Sequence, residues 1–347
     1  MARKAMNAPR MGEMLEHLRA LFGRDKVKRP GDSAVSPARQ RVGPKPLAWL
    51  FENLARAVGD AGVPGCFWGG LRVVAADGTT LEVQDTQANR ERFGIHHNQH
   101  GEAGYPQVKA VILIECGTRA PLGCALGRND AYEPALFDKI RSRLALDMLM
   151  LADRAYFDYA RWKACAAQAA GLLWRVKGSL ILKGLQGFED GSYLAQIRPS
   201  SQLTQSGRCR KGESMTVRVI EYCPLFEDGT EGERVRLMST LLDPAQAPAE
   251  ELVAVYTERW SEETGLDELQ RHLRGPNRVL RSPLPDLVEQ EWYGFLLAYY
   301  VVRATMSEAA RRAGCAPRAL SFVHTTAAIK PRLAFFPSAI RGNEKHV

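Results

Sequence analysis

Residues 146–153, LDMLMLAD, form a nearly unbroken apolar run that ends on an acid. A strand with one wet face alternates, whereas a run that is apolar at almost every position needs cover on both faces. This segment therefore belongs in the middle of a sheet with helices on either side. Upstream, LRVVAADGTTLEV has period two: Leu71, Val73, Ala75 and Asp77 share one parity, so an acid again closes an apolar face. Between these two segments lie a loop expected over 87–105, a strand over 108–116, a strand over 122–127 and a helix over 133–144. A helix over 157–169 and a strand over 171–177 follow. The order is strand, strand, strand, helix, strand, helix, strand, which makes the chain α/β with a mixed sheet.

The flanks read differently. Helices are expected over 11–23 and 46–61, with a short one capped by Ser33 or Ser36 and closed by Gly43-Pro44. Residues 178–243 hold short strand-like pieces (SYLAQI, MTVRVIEY, VRLMSTLLD) between Gly, Ser and charged loops, a mostly β insertion. Beyond it a long helix is expected over 248–273, then helices over 286–313 and 319–328. The implied divisions are a helical, basic 1–64, a core in two parts, 65–177 and 244–334, the insertion 178–243, and a loose tail, 335–347.

The net charge is +8, and residues 1–50 hold eleven Lys/Arg against four Asp/Glu, nearly the whole excess. Further basic clusters are Arg198, Arg208, Arg210 and Lys211, and Arg271, Arg274, Arg278 and Arg281. Basic stretches are often plain solvated faces, but three around one candidate site point to a polyanion such as nucleic acid. The longest apolar run, Trp292 to Val302, is interrupted by Gly294 and too short to span a bilayer. Seven scattered cysteines without a Cys-x-x-Cys argue against a disulfide framework or a structural zinc, and fit a reducing cytoplasm.

Within the helix expected over 248–273, Tyr256, Arg259, Glu263 and Gln270 fall within about 60° of one another at 100° per residue. Val255, Leu266, Leu269 and Leu273 form the apolar stripe beside them. An ordinary i,i+4 pair of Arg259 with Glu263 is an equally good account of this helix alone. Asp77 and Asp153 alter the balance. If the two strands are neighbours and the helix packs across them, three carboxylates converge, and they cannot all stay ionised without cations. Mg²⁺ takes oxygen ligands and keeps room for phosphates. Two such ions about 3.5–4 Å apart activate an attacking oxygen and stabilise a leaving one.

Longer stretches carry a resemblance: AVSPARQRVGPKPL, DGTTLEVQDTQANRERFG, LLWRVK, LLDPAQAPAEELVAVYTERW and LDELQRHLRGPNRVLRSPLPDLV. Over roughly residues 33–333 the chain resembles DDE transposases of the insertion-sequence-four family, whose catalytic core is ribonuclease H-like. The resemblance implies Asp77, Asp153 and Glu263 as catalytic and metal-binding residues, with Mg²⁺ or Mn²⁺, two ions in all. It implies that Tyr256, Arg259 and Gln270, with Arg271 beside them, contact DNA. It also implies double-stranded DNA as partner, transposon ends and target alike, and a homodimer in the DNA complex. Cleavage at the element's end, joining of the freed 3′ hydroxyl to target and a hairpin on the second strand belong to the same implication.

Two departures stand out. Gln270 occupies the place of the family's closing Lys, so a neutral amide replaces a charge. Asp153-Arg154-Ala155 stands for the common Asp-Arg-Gly. The N-terminal helical region is expected to be a shortened DNA-binding part. Among the remaining candidates, Asp85 reads as a turn residue and His96-His97-x2-His100 as a solvated loop without a carboxylate or Cys partner. Tyr159 and Trp162 read as core, and His272 as structural. Two alternatives stay open: a metal-dependent nuclease or resolvase with the same core, and an inactive DNA-binding remnant.

Overall fold

The computed structural model describes residues 32–98, 101–169, 171–225, 229–258 and 279–332. In chain order the elements are α1 (Asp32–Val42), α2 (Lys45–Leu54), β1 (Phe67–Trp68), β2 (Leu71–Val83), α3 (Gln87–Phe93), β3 (Ile95–Asn98), β4 (Gly101–Glu115) and β5 (Pro121–Arg128). Then come α4 (Glu133–Ile140), β6 (Met148–Ala152), α5 (Tyr159–Ala166), β7 (Gly171–Arg175), β8 (Lys183–Gly187), β9 (Tyr193–Ile197) and α6 (Ser201–Gln205). The chain continues through β10 (Met215–Tyr222), β11 (Val235–Ser239), α7 (Ala249–Glu258), β12 (Val279–Leu280), α8 (Pro285–Ala313) and α9 (Phe322–Arg332).

These elements fall into two compact units, one drawing on Arg56–Thr80 and Lys109–Gly265, the other on Met1–Ala55, Leu81–Val108 and Leu266–Val347. In the first unit the strand order runs β4-β2-β6-β7-β11-β10-β9-β8, with β5 on β4. β4 and β5 form a hairpin closed by the Glu115 amide on the Ala120 carbonyl, 3.0 Å. β2, β6 and β7 are parallel; α4 leads from β5 into β6, and α5 joins β6 to β7. The expected central strand is therefore central: all five residues of β6 are buried.

Side-chain alternation sorts this sheet into two apolar faces. Val74, Ala76, Met150, Leu172 and Trp174 pack with Leu136 and Phe137 of α4 and Trp162 and Cys165 of α5. Val73, Ala75, Leu149, Leu151, Leu173 and Leu237 pack with Leu252 and Tyr256 of α7. The region 178–243 is not a separate module. Its strand β11 pairs antiparallel with β7 and prolongs the same sheet outward through β10, β9 and β8.

The second unit is built on α8. Gln290 holds the end of α1, accepting from Arg39 Nε at 2.8 Å and donating to the Arg39 and Gly43 carbonyls at 3.1 and 2.7 Å. Phe51 of α2 is buried against Tyr293. The final residues of β2 pair in parallel with β12, and β3 with the start of β4.

Two local expectations are corrected. The helix expected over 46–61 ends at Leu54, because the fully buried Glu115 carboxylate accepts the Val58 and Gly59 amides at 3.2 and 2.9 Å and so draws the backbone out of the helical path. The loop expected over 87–105 contains α3 and the β3–β4 pairing. Thr86 caps α3 by accepting the Asn89 amide, and Gly94, at φ 81°, closes it in a conformation that favours glycine. The helix expected over 11–23 and the tail lie outside the described residues.

Candidate active site

The parallel register of β2 and β6 runs from Arg72 opposite Met148 to Ala75 opposite Leu151. Continued by two residues, it sets Asp77 level with Asp153, which lies just past the carboxyl end of β6; Asp77 is the seventh of the thirteen residues of β2, so the strand expected to close on this acid runs on to Val83. Both acids carry the parity of Val73, Ala75, Leu149 and Leu151, the face that α7 covers. Both are half-buried, between the dry sheet and solvent. Ligand and catalytic groups in open parallel sheets gather at the carboxyl ends of strands, where Asp153 stands.

Each acid is held by its surroundings. The Asp77 Oδ1 accepts the Gly78 amide at 2.9 Å. Gly78 takes the opposite parity, toward α4, and a Cβ there would lie 2.5 Å from the Glu133 carboxyl carbon. Glu133 opens α4, with Lys109 Nζ 4.0 Å from its Oε1 and donating to the Ala131 carbonyl at 2.9 Å. Glu133 thus backs β2 beside Asp77 from the far side of the sheet. It carried no signal in sequence beyond an acid in a helix's first turn. The turn after Asp153 closes through the Tyr156 amide on the Asp153 carbonyl, 3.0 Å. Arg161, almost fully buried, fastens that turn by donating to the Tyr156 carbonyl at 2.9 Å and to both Asp138 oxygens at 3.0 and 2.9 Å.

Tyr256, expected on the polar stripe of its helix, faces the core instead and is 1 % exposed. Its hydroxyl donates to the Ala152 carbonyl at 3.4 Å, immediately before Asp153. The buried line of α7 is Ala249, Leu252 and Tyr256, with Val255 only partly covered. The 100° arithmetic gave spacing correctly but could not say which side met the sheet. Arg259, Glu263, Gln270 and Arg271 lie outside the described residues, as do Arg274, Arg278, His100 and His272.

The described residues bring together Asp77, Asp153 and Tyr256, and leave the other candidates elsewhere. Asp85 pairs with Arg90 at 2.6 and 3.0 Å, and this hydrogen bond, with the Arg90 charge, holds its pKa below the usual carboxylate value. Tyr159 and Trp162 are core, as expected. Burial first, then the charge of Glu213, raises the Tyr159 phenol to about 12. His96 is exposed on a strand rather than in an open loop. Among the described residues no group of three or more His, Cys, Asp or Glu side chains is placed to hold a metal, and the third expected acid lies beyond them. Beside the turn after Asp153 is a cleft of about 570 Å³, lined by Phe157, Asp158, Tyr159, Lys183, Arg198 and Ile181 among others. Arg208, Arg210 and Lys211 of the same expected basic cluster are exposed.

Two level carboxylates on adjacent parallel segments, on the face that a helix covers, are matched in sequence by a family pattern: residues 68–301 fit the model described as a transposase DDE domain. The chain belongs to the DDE transposase family. It is 28 % identical over 322 residues to the transposase InsG for insertion sequence element IS4 of Escherichia coli, covering 89 % of this chain and 70 % of that one. A putative transposase InsZ of Escherichia coli is 28 % identical over 126 residues, 36 % of this chain and 42 % of the other. A solved synaptic complex of piggyBac transposase with hairpin DNA aligns over 78 % of this chain and 53 % of that one, at 10 % identity and TM-score 0.41, a likeness too low to establish a shared fold. The protein is thus a DNA transposase, an enzyme of DNA cleavage and strand transfer, and DNA is its partner. No described helix is long and apolar enough to cross a membrane.

Proposed function

We propose that this transposase works from a ribonuclease H-like core in which Asp77, Asp153 and Glu263 form the catalytic set. The observation that carries the reading is the register that levels Asp77 with Asp153 on the face covered by α7. The strand order β5-β4-β2-β6-β7, a hairpin pair followed by parallel units, supports the core assignment. Family membership implies a divalent metal. Two half-buried carboxylates facing one side supply hard oxygen donors of the kind Mg²⁺ prefers, so the residues present fit such an ion. Asp77 and Asp153 would hold it together with Glu263. When bound, it supplies Lewis-acid activation of the oxygens that attack and leave phosphorus.

The chain's own residues orient and confine. Gly78, Glu133 and the Arg161-fastened turn fix the backbone beside the two acids. Arg259, Gln270 and Arg271, with the exposed cluster Arg208, Arg210 and Lys211, bind DNA phosphates, which gives affinity that falls steeply with salt. Direct contact of Tyr256 with a phosphate would require its hydroxyl to leave Ala152. The protein acts as a homodimer on paired ends, cutting them and joining the 3′ hydroxyl to target.

The test is Mg²⁺- or Mn²⁺-dependent cleavage of a duplex bearing the inverted repeats that flank the gene. Asp153→Ala should lose more than about 100-fold, beyond the usual cost of removing a ligand's supporting partner. Equal activity in that variant discards the catalytic set. Joined products separate a transposase from a nuclease that only cuts, and metal-independent binding without cleavage marks an inactive remnant.

A further inference from the structure

The helix expected to carry the third acid begins in an unusual way. The first amides of an α-helix have no partner within it, and the Ala249 amide of α7 donates to Asp190 Oδ2 at 3.2 Å, a carboxylate from the loop between β8 and β9. Asp190 Oδ1 accepts the amide and hydroxyl of Ser192 at 3.1 and 2.6 Å. Arg218 of β10 is completely buried and completes the cluster. Its Nε donates to Ser192 Oγ at 2.8 Å, its Nη2 to Asp190, and its Nη1 to the Ala247 carbonyl just ahead of the helix. Trp68 adds a further tie, donating from Nε1 to Glu251 Oε2 at 3.0 Å in the helix's first turn.

Arg218 is fully buried while its partner Asp190 stays partly exposed, and such an ion pair is a poor way to gain stability, because well-packed apolar side chains of similar volume serve as well or better; fixing one arrangement among several is the best-attested use of such groups. Here the arrangement it fixes is the axial position of α7. The apolar contacts of Leu252 with the sheet are non-directional and would tolerate a slide along the axis. The Asp190–Arg218 cluster is directional and stops one end, and the Tyr256 hydroxyl on Ala152 registers the other.

We infer that Asp190 and Arg218 are positioning residues of the transposase: the β-rich insertion clamps the start of α7 and thereby holds Tyr256 on the Ala152 carbonyl, next to Asp153. This rests on the proposed catalytic set. A displacement of about 1 Å at such a site costs up to about 100-fold in rate.

The full-length chain is compared with Asp190→Ala, Asp190→Asn, Arg218→Lys and Asp153→Ala. Single-turnover cleavage of the inverted-repeat duplex is followed against Mn²⁺ concentration, with end binding by mobility shift and folding by circular dichroism. Asp190→Ala should cleave about 10- to 100-fold more slowly at temperatures where it is folded, with Mn²⁺ half-saturation raised severalfold and end binding unchanged. Asp190→Asn and Arg218→Lys, which keep part of the hydrogen bonding, should fall between. Lower melting with rate and Mn²⁺ dependence unchanged in folded protein overturns the inference and leaves a structural role. Should Asp190→Ala not fold, Asp190→Asn decides: wild-type Mn²⁺ dependence overturns it, a raised half-saturation supports it. Undiminished cleavage by Asp153→Ala would instead bring down the catalytic set itself.

Discussion

The centre of the sheet and its outer extension are held by different physics. In β6 and β7, Leu149, Met150, Leu151, Leu172, Leu173 and Trp174 are completely buried, and burial of apolar surface does the work. In β8 every residue is exposed, while two strands inward a fully buried arginine is tied to a carboxylate, a hydroxyl and a backbone carbonyl. Apolar packing brings elements together without fixing their slide, whereas hydrogen-bonded ions specify position at the cost of desolvation.

That contrast can be broken at its strongest point. Leu151→Ala, in the fully buried centre between β2 and β7, should lower unfolding stability by about 2–5 kcal/mol, read by chemical denaturation. A loss within experimental scatter would mean the centre is not the stabilising element. Gly78→Ala sharpens the positional half. The new methyl would displace the Glu133 carboxyl group, the far end of a flexible and partly exposed side chain, destabilising the fold by less than about 1 kcal/mol. Cleavage should fall by more than that destabilisation explains, because the residue before it is Asp77. Unchanged cleavage would detach Glu133 from Asp77.

Acid should reach the two regions unequally. Burial alone would raise the Asp190 pKa, but its hydrogen bonds from Ser192 and Ala249 and the charge of Arg218 outweigh that and hold it below the ordinary carboxylate value. The contribution of a depressed carboxyl is present above its unfolded pKa, about 3.9, and is lost as pH falls through the folded one. Melting temperature should therefore fall more steeply below about pH 4 in the natural protein than in Asp190→Asn. Parallel curves would show that the pair contributes no net stability. The smallest effect is expected at the rim: Leu185→Thr, on the exposed β8, should change stability by less than about 0.5 kcal/mol. A larger loss would make that edge part of the core.

Much of this was legible in the sequence. The five-residue apolar β6 announced a strand covered on both faces, and the parity of Val73, Ala75 and Asp77 placed an acid on one of them. Both are short-range patterns, written in consecutive residues. The start of α7 was legible too, but not its orientation, because Tyr256 satisfies a polar and an apolar stripe equally well. The break after Leu54 was hidden for a related reason: the group that causes it, Glu115, is 57 residues from Val58.

The sequence by itself determined the family and the kinds of element, and marked Asp77 and Asp153 as candidates, since each depends on residue type and local spacing. Only the tertiary structure decided that Asp77 and Asp153 are level, that Tyr256 turns inward, that Glu133 backs β2 beside Asp77, and that Asp190 and Arg218 hold the start of α7. Those facts depend on register and on contacts across long chain separations. No local propensity encodes them; they emerge when the apolar faces close and the buried polar groups must find partners.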